Sequence, residues 1–109
     1  MIYTIFIVPL ITLISGYSMY KYPPKKINHI VGYRTIKSMK NKKNWQKSNN
    51  ICGRLWIKIG AITFIISIVL YISNMLDIIE FTEEIIAIIT LIQIIPLLIA
   101  IPVIERKIK

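Results

Sequence analysis

This sequence is short of most of what catalysis and metal binding require. It holds one cysteine and one histidine. Cys52 therefore has no partner for an internal disulfide, and one cysteine with one histidine cannot build a structural metal site. Acidic residues number 5 against 14 lysines and arginines, and none of the acids lies between residues 21 and 54, so paired acid and base chemistry has no second member there. No serine or cysteine has a nearby base to activate it, and no glycine-rich loop is present to cradle a phosphate. The expectation is a non-enzyme without a cofactor.

Charge is missing in another way. Residues 2–20 and 85–104 carry none, and residues 55–76 carry only Lys58, placed where its stem can snorkel to the interface. With 55% hydrophobic residues and a mean hydropathy of +0.63, the chain is too apolar for a soluble domain of 109 residues. The fold class expected is an all-α integral membrane protein with three transmembrane helices, a single domain whose partner throughout is the lipid bilayer. Its net charge of +9 does not argue for direct nucleic-acid binding, because no reading module accompanies it and the bases lie between apolar runs.

In chain order, the first span covers about 2–20. No Lys or Arg precedes it, which argues against a cleaved signal peptide. Pro9 and Gly16 are expected to bend or loosen it. Residues 21–54 then hold ten basic side chains and no carboxylate, a composition that stays in the cytoplasm and places the N-terminus outside. Pro23-Pro24 breaks the first helix, and Thr35 or Ser38 is expected to cap an interfacial helix beginning near residues 36–39. His29 reads as a solvated loop histidine. The second span covers about 55–76, an acidic external loop 77–84, the third span 85–104, and a basic tail 105–109 returns the C-terminus inside. Gln93 is expected to make a helix–helix hydrogen bond, and Pro96 and Pro102 to kink the third span.

The most distinctive stretch is Gly32, Tyr33, Arg34 and Thr35, followed by Ser38, Asn41, Trp45, Asn49, Gly53, Trp56 and Gly60. From Asn41 the steps are four, four, four, three and four, which at about 100° per residue fall within an arc of roughly 120° on an α-helix. Packing alone explains any one of these residues: asparagines as interhelical glue, glycines at close approaches, Trp45 and Trp56 as interface anchors. It does not require all of them on a single face. Arg34 beside Tyr33 suits a phosphate or carboxylate, including a lipid headgroup. The site expected is a hydrogen-bonded cluster of Arg34, Asn41 and Asn49, with Trp45 at the headgroup level fixing its depth.

Gly32-Tyr33-Arg34-Thr35 with Ser38, Asn41, Trp45, Asn49 and Gly53 resembles the signature of the SdpI family of bacterial membrane proteins. The likeness spans roughly residues 22–62 and points to the C-terminal half of the longer members. It implies a multi-pass immunity protein of the bacterial cytoplasmic membrane, giving resistance to a secreted antimicrobial peptide toxin. A second reading makes the basic loop a dock for a cytoplasmic regulator, as the founding member's retention of a repressor implies. A third makes the chain a small transporter, which with three spans requires a homo-oligomer.

Overall fold

The computed structural model describes residues 2–23, 25–27 and 32–108. Pro24, His29 and Lys109, to which the sequence assigns a helix break, a solvated histidine and part of a basic tail, lie outside the described residues. The fold is all-α. A short 3-10 helix, Ile2–Phe6, leads into α1 (Ile7–Lys21), followed by α2 (Lys42–Met75) and α3 (Glu83–Lys107). Each of the three helical segments is long and apolar enough to cross a membrane, and this is a multi-pass membrane protein.

Its surface is turned inside out relative to a soluble fold. Ile62, Ile65, Ile88 and Leu91 are exposed, whereas Thr12, Ser67 and Gln93 are buried. In lipid this arrangement is favourable, since apolar side chains meet acyl chains and the Thr12 and Ser67 hydroxyls and the Gln93 amide N–H find acceptors within the protein.

The first segment shows why. Pro9 has no N–H, so the Ile5 carbonyl four residues earlier loses its helical donor. Two other helices supply replacements: Ser67 Oγ of α2 and Gln93 Nε2 of α3 each donate to Ile5 O at 2.9 Å, and Gln93 Nε2 also donates to Ser67 Oγ at 3.0 Å. Gln93 thus makes the interhelical contact expected of it. Winding residues 2–6 as 3-10 also lengthens the segment to about 32 Å, enough for a hydrocarbon core of about 30 Å.

α1 and α2 run antiparallel and form the most extensive contact in the molecule. Their approach depends on small residues: a Cβ added at Gly53 would lie 2.7 Å from Tyr20 N, and one at Gly16 would lie 2.8 Å from Ile57 N. No side chain fits at either distance. Toward the other end Phe6 packs on Phe64 and Tyr71, with ring centroids 5.5 and 5.8 Å apart.

α2 ends in a Schellman turn. Ile78 N donates to Ser73 O and Asp77 N to Asn74 O, with Asp77 at φ 57°. Thr82 then caps α3 by accepting from Ile85 N at 3.2 Å, and Glu83 and Glu84 in its first turn complement the helix dipole. Asp77, Glu80, Glu83 and Glu84 gather at this end, and the basic residues of α1's last turn, the 32–41 loop, α2's first turns and α3's last turn gather at the other. α3 continues through both Pro96 and Pro102.

One boundary differs from expectation. α2 begins at Lys42, not near residues 36–39, and Asn41 is its cap, accepting from Asn44 N at 2.8 Å. Thr35 and Ser38 cap each other in a separate turn: Thr35 N donates to Ser38 Oγ at 2.8 Å and Ser38 N to Thr35 Oγ1 at 3.1 Å. The turn closes on itself, and Asn41, extended at φ −154° and ψ 170°, restarts the helix.

Candidate functional site

Residues 32–38 fold back over the N-terminal turns of α2. Gly32 begins the return at φ 101°, a conformation open to glycine and costly for other residues. Tyr33 follows and touches all three helices. Its backbone N–H donates to Asn49 Oδ1 of α2 at 2.8 Å, and its hydroxyl donates to Glu105 Oε1 of α3 at 2.8 Å. Its ring joins an apolar cluster with Met19 of α1, Cys52 of α2, and Ala100 and Ile104 of α3. Burial, the hydrogen bond to Glu105 and the charge of that carboxylate all hold the phenol's pKa above its ordinary value, so at neutral pH Tyr33 is protonated and a donor.

Asn49 is fully buried and uses both ends of its amide. Besides accepting from Tyr33 N, its Nδ2 donates to Trp45 O at 2.9 Å and, at 3.5 Å, to Tyr33 O. A loop strand carrying unpaired backbone groups is thereby tied to the helix by one side chain. Ser38, also fully buried, shares its one hydroxyl hydrogen between Thr35 O at 2.9 Å and Tyr33 O at 3.2 Å. Lys37 reaches α3, where its Nζ donates to Glu105 O at 2.8 Å and places a cation at the negative end of the helix. Asn44 Nδ2 donates to Lys37 O at 3.1 Å and holds the turn from beneath.

The face of α2 anticipated from spacing is the buried one: Trp45, Asn49, Gly53 and Gly60 all lie inside the fold. Two expectations on it require correction. Trp45 does not meet lipid headgroups with its ring; it is 0% exposed, covered by the protein itself. Arg34, Asn41 and Asn49 do not converge as one cluster either. Asn41 is exposed and committed to capping α2, Arg34 is exposed on the loop, and Asn49 belongs to Tyr33.

Beside the folded loop lies a groove of about 610 Å³, bordered by Ser15 and Ser18 of α1, Gly32 to Thr35 of the loop, Cys52 and Trp56 of α2, and Ile101 and Ile104 of α3. It brings the first four signature residues onto one concave surface. Among the described residues, no group of His, Cys, Asp or Glu is arranged to hold a metal ion. Sequence reasoning missed Glu105, although a signal was available: it is the one carboxylate set beside the basic residues of the C-terminal tail, away from the four gathered between residues 77 and 84.

Residues 25–104 match the SdpI/YfhL protein family. The chain belongs to this family. The SdpI/YfhL match takes in the folded loop, all of α2 and most of α3, so the contacts among Tyr33, Asn49 and Ser38 lie wholly inside it. Over 50 residues the chain is 36% identical to the uncharacterized protein YfhL of Bacillus subtilis strain 168, a stretch amounting to 46% of each chain. That similarity thus takes in about half of the relative's length. No solved structure matches the chain.

Proposed function

We propose that this SdpI/YfhL protein is an immunity protein of the bacterial cytoplasmic membrane, giving resistance to a secreted antimicrobial peptide toxin by binding or blocking it at the membrane. One observation carries the reading. The family signature from Gly32 to Gly53 is built into a single packed unit whose buried members, Tyr33, Ser38, Trp45 and Asn49, position the loop, while Arg34 stays exposed at the edge of a groove. In this reading the buried members are positioning residues and Arg34 is the group that meets the ligand.

Orientation follows from charge. The basic end faces the cytoplasm, with the N-terminus outside and the C-terminus inside. At about 1.5 Å per residue the 34 residues of α2 extend about 51 Å, so the helix enters a hydrocarbon core of about 30 Å near Leu55 and its earlier turns stand in the interface and cytoplasm. The acidic 77–84 loop, facing outward, favours the approach of a cationic peptide.

The test is growth of a sensitive bacterium expressing the chain and challenged with a membrane-active peptide toxin of the class met by SdpI-like proteins. Survival at toxin levels that kill the empty-vector strain is expected; equal killing counts against the immunity role. A second reading is supported by the exposed Lys40, Lys42, Lys43 and Lys47, which offer a docking surface to an acidic cytoplasmic regulator. Detergent extracts that enrich no soluble protein over a charge-scrambled loop remove it.

A further inference from the structure

Besides the Arg34 that the immunity reading assigns to the toxin, the groove beside the loop has an apolar lining that this reading does not use. Its lining is mostly apolar, with Met19, Trp56, Ile101 and Ile104, and it also holds Arg34 and the hydroxyl-bearing Ser15 and Ser18; among the described residues no carboxylate borders it. Arg34 lies at one end of the groove, and the α1 and α3 residues that line it run from Met19 and Ile104 near that end to Ile14 and Ile101 further into the bilayer. Arg34 stands on the loop beyond the end of α1, and Ile14 and Ile101, which flank the groove deeper along α1 and α3, are exposed to the surrounding bilayer. A ligand entering sideways from lipid would find a guanidinium at headgroup level and an apolar trough below it.

We propose that this groove holds one anionic phospholipid, its phosphate on Arg34 and one acyl chain running past Trp56 toward Ile14 and Ile101. Guanidinium matches phosphate oxygens through paired hydrogen bonds, and basic clefts between transmembrane helices suit anionic headgroups. A volume of about 610 Å³ falls within the roughly 300–1,000 Å³ usual for small-ligand sites. Charge selects the headgroup: the site lies at the end where the basic residues gather, and Glu105, the nearest acid in sequence to the groove wall, is engaged by Tyr33 and is not part of the lining. The inference does not depend on toxin resistance.

Trp56 provides the readout, since it borders the groove while Trp45 is fully buried. The full chain is reconstituted in phosphatidylcholine vesicles containing a minor fraction of phospholipid brominated on its acyl chains, either phosphatidylglycerol or phosphatidylcholine, and quenching of tryptophan fluorescence is compared. Brominated phosphatidylglycerol should quench several-fold more effectively per molecule. Arg34→Ala should reduce that preference by about fivefold, the factor that one basic side chain near a lipid surface supplies. Ser18→Phe, which fills the groove without removing charge, should abolish it. Lys43→Ala, exposed but outside the groove, should leave it intact. Equal quenching by the two lipids overturns the proposal. So does a preference that falls as far in Lys43→Ala as in Arg34→Ala, which marks diffuse surface attraction. A chain that shows no preference and runs as a dimer in native mass spectra assigns the groove to a second copy and overturns the proposal as well.

Discussion

Tyr33 and Asn49 illustrate how much one buried contact can organise in a membrane protein. Deleting the Asn49 amide leaves the Tyr33 N–H without its acceptor in a site closed to water, and an unpaired buried donor costs about 1–3 kcal/mol. Asn49→Ala is therefore expected to lower the melting temperature in detergent and to loosen the loop, which limited proteolysis around residues 32–38 detects. The Tyr33 phenol gives a pH test. Its pKa is raised in the fold above the roughly 10 of a free tyrosine, so its stabilising bond to Glu105 is complete at neutral pH and is lost only as pH climbs past the unfolded value and through the folded one. In an alkaline absorbance titration, Tyr33→Phe should remove a late-titrating phenol. Neither bond is legible in the sequence. Residues 32–38 have no period, so nothing in their spacing says that they return onto α2, and Glu105 stands 72 positions from the hydroxyl it accepts from.

Elements are easier to read because each follows a local rule. The three apolar segments, the acidic turn and the buried face of α2 all follow from length, charge and a 3.6-residue period. The start of α2 falls later than spacing suggests because Thr35, Ser38 and Asn41 are all competent caps, and choosing among them depends on the tertiary contacts that let residues 35–39 close as a separate turn. Gly53 shows the strictness of the α1–α2 contact. With a Cβ only 2.7 Å from backbone in the facing helix, Gly53→Ala must push the helices apart, at about 1–3 kcal/mol, and should lower the melting temperature more than alanine at exposed Ser18. At the far end of α2 the sign reverses. Asp77 occupies a left-handed conformation at φ 57°, so Asp77→Gly should stabilise by up to about 1 kcal/mol, seen as a small rise in melting temperature with no change in the acidic end's charge beyond one unit.

At the scale of the whole molecule, the separation of acid from base is the property that matters most for topology. In a Cys52→Ala background, Glu80→Cys should react with an impermeant maleimide on intact cells, and Lys43→Cys only after the membrane is opened. The reverse pattern would invert the orientation. The same separation puts the signature unit at one face of the membrane, where buried residues hold the loop and Arg34 stands exposed at the groove. That division of labour is the central claim, and it makes substitution at Arg34 more informative than substitution at Asn49, since Arg34 is exposed and Asn49 is fully buried. The deciding measurement is toxin survival of cells carrying wild type, Arg34→Ala or Lys43→Ala at matched membrane levels. Protection retained by wild type and Lys43→Ala and lost in Arg34→Ala is the predicted result; full protection by Arg34→Ala would contradict the account.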